Sequence, residues 1–392
     1  MASPAESWTA WPPTPSTVLA ATTAAVVTAS LLAVAGASLW PRRAPVLPSP
    51  LRRAVPQAAR DQLRDLVLEE DALPGARDIE TPYGSVRVHE FGPEDGPKVL
   101  FVHGISTSCI TLSRIARALA DRGCRVMLFD LFGRGYSDGV GDLPHDARLY
   151  VTQMLLVLAS SPLPWTGVDA FRLVGYSLGG GIAIHFANAF PHLVSSLVLL
   201  APAGLIRAED FGVTRHIYTS GLVPEPLLAL LTSKRLQQPI AASAKTKTKS
   251  APHVADHDHQ LDILEAEAAD PAPGEEASPL ERRVLQYVRW MVSHHPGFIP
   301  AFMSCIRFAP LVNQHESWRQ LSKRKPGSTI ILLGKTDEII NVSDYTNDGL
   351  PLVGGKDHVV WKVLNGGHDF VMTHSHEVMR ELDEAWDMKA AP

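Results

Sequence analysis

The chain has 392 residues, 45% of them apolar and 20% charged, with a formal net charge of −5. This is too long for one small domain and fits one large α/β domain with an insertion, apolar enough to bury a sizeable core. The mild acidity implies no broad basic face, which argues against nucleic acid as a partner. The cysteines, Cys109, Cys124 and Cys305, are too few and too scattered for a disulfide framework. They lack the spacing of a zinc site, so a reducing compartment is the easier reading.

The N-terminus differs from the rest. After a tail over residues 1–16, the stretch 17–40 carries no charge and exceeds the ~20 residues a membrane-spanning helix needs. Arg42, Arg43, Arg52 and Arg53 follow it, and no Lys or Arg precedes it. This pattern predicts a single-pass transmembrane anchor with the larger part of the chain on the cytosolic side. A cleaved signal peptide, helped by the small residues Ala35 to Ala37, and a disordered Ala/Thr leader are the alternatives. Residues 41–75 read as a Pro- and Arg-rich linker with a short amphipathic helix in "PQAARDQLRDLVLEED".

From Ala76 onward, strand and helix patterns alternate. "SVRVHEF" alternates like a half-exposed strand, and "KVLFVH" and "CRVMLFD" are short apolar runs typical of buried parallel strands. "TLSRIARALADRG" has helical spacing, with Gly123 as its stop, and a second helix is expected over Ala147 to Ala159. "AFRLVGYS" and "SSLVLLAPA" read as strands around a helix in "GGGIAIHFANAF". From 204 to 324 only helical patterns occur. "STIILLG" and "HVVWKVL" then resume the strands, and a helix over Thr373 to Met388 closes the chain. The expected class is α/β: a mainly parallel sheet with helices on both faces, built from 76–203 and 325–392, with a helical insertion at 204–324. Residues 241–279 lack the apolar density to fold alone. "HVADHDH" within them reads as solvated rather than as a metal site. "KTKTKS" (Lys245 to Ser250) reads as a solvated run, and "GLVPEPLLALL" as ordinary packing or the wall of an acyl channel.

Chemistry concentrates at "GYSLGG". Ser177 stands between a buried strand and a helix. Such a turn strains its central residue and lifts its side chain clear of the sheet, and Gly175 and Gly179 let strand and helix approach. A serine needs a base, and the base needs an orienting acid. Asp337 in "GKTDEII" and His368 in "NGGHDF" each follow a later strand, giving the order Ser177, Asp337, His368. Glu338 and Asp369 are weaker candidates for the acid, because Asp369 would have to double back onto the adjacent ring. Oxyanion donors are expected from the backbone N–H groups of Leu178 and of Ile105 in "FVHGIS". His103 reads as structural.

Together "HGIS", "DLFGRGYSD", "GYSLGG", "GKTDEI" and "GGHDF" resemble the α/β-hydrolase superfamily, in particular its cap-bearing serine hydrolases of esterase and lipase type. The resemblance covers Ala76 to the last helix. It implies the α/β-hydrolase fold, a cap formed by the insertion, and a mainly structural role for the loop Asp130 to Ser137. It also implies hydrolysis of an ester through an acyl-enzyme, with no metal or organic cofactor. A small-molecule apolar ester or a lipid is the expected substrate class, and the N-terminal segment the expected membrane contact. A thioesterase, an acyltransferase and a C–C bond hydrolase share the triad and stay open. So does a non-catalytic ligand-binding or scaffold member of the fold. Relatives with an aspartate nucleophile are excluded by the serine at 177.

Overall fold

The computed structural model describes residues 23, 27–28, 44–65, 73–167, 170–207, 212–237 and 279–388. The chain divides into two units, 1–44 and 45–392, and everything below concerns the second. The transmembrane anchor expected over 17–40, and with it the single-pass membrane localisation, is corrected here. A span needs about 20 continuous helical residues, and among the described residues no helix is long and apolar enough to cross a membrane. Most of residues 17–40 lie outside the described residues.

The frame is an eight-stranded sheet ordered β10-β9-β8-β7-β4-β5-β3-β2. Its strands are β2 (Ala76–Thr81), β3 (Gly84–Phe91), β4 (Lys98–Val102), β5 (Arg125–Phe129), β7 (Phe171–Tyr176), β8 (Val194–Leu200), β9 (Thr329–Gly334) and β10 (Val360–Leu364). All neighbours from β10 to β5 pair in parallel, whereas β3 runs antiparallel to both β5 and β2. The apolar runs at the centre are buried throughout, as in β9 and in most of β7. Parallel strands reached by helical crossovers are covered on both faces and read this way in sequence.

The helices α1 (Gln57–Asp65), α2 (Ser113–Asp121), α3 (Ala147–Ala159) and α4 (Leu178–Ala189) come before β8 or next to it in sequence. The stretch 66–72, the second half of the helix read from 56 to 71, lies outside the described residues. The side chain of Asp146 caps α3 by accepting from the Leu149 N–H at 3.1 Å, satisfying a donor that the first turn leaves open. Between β8 and β9 stand α5 (Gly212–Thr219), α6 (Glu225–Gln237), α7 (Pro279–His294), α8 (Phe298–Phe308) and α9 (His315–Gln320). No strand occurs there among the described residues, only an isolated bridge from Ile206 to Val312. The runs "HVADHDH" and "KTKTKS" lie outside the described residues. The last helix is α10 (Ser375–Ala385), preceded by a short turn at Phe370–Thr373.

Two features differ from what the sequence pattern suggests. The alternation in β3 reads as a half-exposed strand, yet almost every residue of β3 is buried. Its polar positions are internal and paired. Arg87 makes a two-pronged contact with Asp78 at 2.7 and 2.9 Å. Glu90 accepts from Arg77, Ser161 and the Trp165 indole at 3.0, 2.9 and 3.1 Å. A polar residue inside a sheet is tolerated when its hydrogen bonds are complete. The second feature is a strap within 41–75. β1 (Val46–Leu47) pairs with β6 (Gly139–Val140), and the Ser49 N–H and Arg52 bind the buried carboxylate of Asp138 at 2.6 and 2.9 Å.

In α6, Leu228 is buried, while Leu227, Leu230 and Leu231 are 47–51% exposed. The leucines of "GLVPEPLLALL" thus supply packing on one side only.

Candidate active site

The C-terminal ends of the parallel strands carry the residues singled out by the sequence, as expected for ligand sites in such sheets. Ser177 directly follows β7, with φ 53 and ψ −120. A non-glycine residue with positive φ costs about 1–3 kcal/mol and persists only where its surroundings impose it. They do so here. The Ser177 N–H donates to the Leu200 carbonyl at 3.0 Å, and its own carbonyl accepts from Gly180 and Ala203, each at 2.9 Å. The glycines are required by close approach. A Cβ on Gly175 would lie 2.4 Å from the Gly179 carbonyl oxygen. One on Gly179 would lie 2.2 Å from the Val102 carbonyl oxygen and 2.6 Å from that of His103.

That contact sets the first turn of α4 directly against the loop after β4. Leu178 is the first residue of α4, and the leading N–H groups of a helix lack intrahelical partners. Ile105, buried in the facing loop, is fixed through its carbonyl, which accepts from Arg134 Nε at 2.9 Å. His103 Nδ1 is 2.9 Å from the Gly104 carbonyl and its Nε2 accepts from the Leu131 N–H at 2.9 Å. The ring is therefore the neutral Nδ1–H tautomer, spent on joining two loops rather than on proton transfer.

Asp337 follows β9 and His368 follows β10. Nδ1 of His368 lies 2.8 Å from Oδ2 of Asp337, and both side chains are sealed from solvent. The other carboxylate oxygen, Oδ1, accepts from the Ile339 and Ile340 N–H groups at 2.8 and 2.7 Å, so the acid is held on both sides. Tyr176, the residue before Ser177, donates its hydroxyl to the His368 carbonyl at 3.1 Å, and the two rings are 5.3 Å apart. The strand that carries the serine thereby also seats the histidine loop.

The loop Asp130 to Ser137 locks this end of the sheet. The Asp130 carboxylate accepts from Cys109 and Tyr136 N–H groups at 3.0 and 2.9 Å. Gly135, with φ 52, passes so close that a Cβ would sit 2.0 Å from Asp130 Oδ2. Several supporting residues were not legible in advance. The fully buried Arg134 reaches Phe132 O at 2.9 Å, Tyr150 Oη at 3.1 Å and Cys305 Sγ of α8 at 3.2 Å. His295, between α7 and α8, donates from Nε2 to the Ser137 carbonyl at 2.9 Å and accepts at Nδ1 from Gly297 at 3.0 Å. Burial lowers its pKa to about 4, so it stays neutral. Gly133 and Gly139 also touch Gly297 closely enough that a Cβ on any of the three would clash. The helical segment between β8 and β9 is thus docked on the loop beside Ser177. Arg134 stands inside "DLFGRGYSD", but nothing in the sequence ties it to a cysteine in a distant helix.

The sequence pattern of the family described as serine aminopeptidase, S33, matches residues 94–268. Serine hydrolase-like protein 2 of Homo sapiens is 28% identical over 151 residues, covering 36% of this chain and 45% of that protein. The pimeloyl-acyl-carrier-protein methyl ester esterase of Chromobacterium violaceum is 40% identical over 106 residues, 27% of this chain and 37% of that protein. An uncharacterized protein of Mycobacterium bovis is 30% identical over 147 residues, and the match covers 41% of it. The chain thus spans about two fifths of the length of the curated relatives it matches. Among solved structures, a membrane phospholipase A superposes with a TM-score of 0.58 at 19% identity, covering 93% of this chain and 98% of that one. A carboxylesterase of Bacillus subtilis gives 0.56 at 16% identity, covering 83% and 96%. At such identities the likeness establishes the fold.

Proposed function

The chain belongs to the α/β-hydrolase superfamily, and from that premise we propose a serine hydrolase that cleaves a carboxylic ester through an acyl-enzyme. The observation that carries the reading is the buried 2.8 Å contact between Asp337 and His368 at the same end of the sheet as a serine held at φ 53. The Asp337 carboxylate accepts from Nδ1, which leaves Nε2 as the basic nitrogen of the ring. In this reading Nε2 takes the proton of Ser177 as Oγ attacks the ester carbonyl. The N–H groups of Leu178 and Ile105 receive the developing oxyanion, and His368 then returns the proton to the leaving alcohol. Water repeats the sequence in reverse and releases the acid.

Residues 76–203 and 325–392 would form the catalytic core, with 204–324 as a cap over it. The methyl ester esterase among the sequence relatives supports the ester class. Rapid mixing with p-nitrophenyl esters of graded acyl length tests the proposal. A burst of one p-nitrophenol per active site, followed by slower turnover, is the expected result. No release above that of buffer across the series would overturn it.

A further inference from the structure

Arg134 carries a full charge in the interior, and among the described residues no carboxylate touches it. A buried cation needs its donors satisfied, because each unmet one costs its desolvation. Four neutral acceptors do this here. Nε donates to the Ile105 carbonyl at 2.9 Å, and Nη1 donates to the Phe132 carbonyl at 2.9 Å and to Tyr150 Oη at 3.1 Å. Nη2 donates to Cys305 Sγ at 3.2 Å. The guanidinium is a rigid planar fork, so these contacts fix its plane. They come from four separate places: the loop after β4, the loop after β5, α3 and α8.

The protons of this cluster can be assigned. His145 Nε2 is 2.9 Å from the Val140 carbonyl and therefore carries a hydrogen. Nδ1 of the neutral ring then accepts from the Tyr150 hydroxyl at 2.8 Å. Burial pushes that hydroxyl well above its ordinary range, so it keeps its proton. With its one hydrogen committed, Tyr150 Oη accepts from Arg134 and from Cys305 Sγ, 3.1 Å away. Cys305 is thus a thiol that donates to Tyr150 and accepts from Arg134. Helix α8 is joined to the same cluster a second time, because Ser304 Oγ accepts from the His145 N–H at 3.0 Å.

At its other end Arg134 meets the loop after β4. The peptide between Gly104 and Ile105 bears the Ile105 N–H. His103 Nδ1 holds the carbonyl of that peptide at 2.9 Å, and Arg134 Nε holds the carbonyl of the next one. The direction of the N–H is therefore set from both sides, and the hold through Arg134 runs on to α8. We infer that Arg134 is a positioning residue for the Ile105 N–H and that Cys305 sets Arg134, so that the insertion between β8 and β9 takes part in shaping the oxyanion site. This role rests on the hydrolase reading above; the tie from α8 to the loop after β4 does not. A displaced N–H weakens the bond to a developing oxyanion more than the contacts that hold the ground-state ester. The effect therefore falls on kcat rather than on KM.

Cys305→Ala removes both bonds of the thiol, whereas Cys305→Ser keeps a group that can donate and accept. Tyr150→Phe breaks the same cluster from α3 and carries the test should the alanine variant fail to fold. The experiment measures kcat and KM on p-nitrophenyl acetate, inhibition by a trifluoromethyl ketone, whose serine adduct bears an oxyanion, and hydrogen exchange over residues 103–107. In C305A kcat should fall roughly tenfold with KM nearly unchanged, short of the ~10²–10³ that follows outright removal of an oxyanion donor. The ketone should weaken by the same factor as kcat/KM, exchange over 103–107 should quicken, and C305S should recover most of each loss. Folded C305A and Y150F with the kcat, ketone affinity and exchange of wild type would overturn the inference. So would a fall in kcat without weaker ketone binding, which marks a general structural defect. Wild type without turnover, but with faster exchange in the variants, would overturn the hydrolase reading and the positioning role with it, and leave the tie from α8 standing.

Discussion

Asp337 and His368 meet at 2.8 Å with no solvent access to either side chain, although they stand 31 positions apart in the chain. The loops after β9 and β10 bring them together, because these strands are parallel neighbours in register from Val360 against Ile330 to Leu364 against Gly334. The second oxygen of Asp337 is fixed by two backbone N–H groups, so the carboxylate has one orientation to offer the ring.

Asp337→Asn tests that orientation. The amide oxygen can keep the bonds to Ile339 and Ile340, which turns its NH2 group toward His368 Nδ1. The ring must then accept at Nδ1 and carry its proton on Nε2, where it cannot take one from Ser177. The expected loss in kcat is about 10⁴-fold with the fold intact, by analogy with the effect of a wrong tautomer in such triads. Steady-state ester hydrolysis together with circular dichroism checks both parts.

Gly179→Ala should destabilise the fold. The added methyl would stand 2.2 Å from the Val102 carbonyl oxygen, at the end of the central strand β4, and 2.6 Å from that of His103 in the loop that follows. Overpacking of well-filled interiors typically costs about 1–3 kcal/mol, and backbone that cannot give way places this site at or above the upper end. Urea unfolding should show a lower midpoint with an unchanged slope.

The pH dependence of stability has an identifiable contributor in His295. Its pKa is lowered by burial to about 4, so between roughly 6.5 and 4 the unfolded chain binds the proton and the folded one does not. Its contribution is complete above that window and is lost as pH falls through it, by at most about 3 kcal/mol. His295→Gln, which can keep the contact to the Ser137 carbonyl, should show a shallower decline. Urea unfolding of both proteins at pH 7, 5.5 and 4.5 measures the difference.

Much of this architecture is written locally. β7, the turn at Ser177 and α4 are contiguous, so the strand pattern, the flanking glycines and the helix pattern can be read together. Asp337 and His368 are found because each ends an apolar run. What escapes is whatever depends on contacts between distant segments. β3 keeps an alternating pattern because its polar side chains have internal partners, and alternation alone suggests a solvent-facing strand. The tie from Arg134 to Cys305 spans 171 positions, and that from His295 to the Ser137 carbonyl spans 158. The uncharged stretch at 17–40 shows the opposite failure. Composition and flanking charge point to an anchor there, but among the described residues no membrane-spanning helix forms.

The most direct measurement is labelling with a fluorophosphonate, followed by peptide mass mapping of wild type and Ser177→Ala. A single adduct on the peptide containing Ser177, absent from the folded variant, is the predicted result. An unlabelled but folded wild type, or an adduct that persists in Ser177→Ala, would contradict the assignment of Ser177 as the nucleophile.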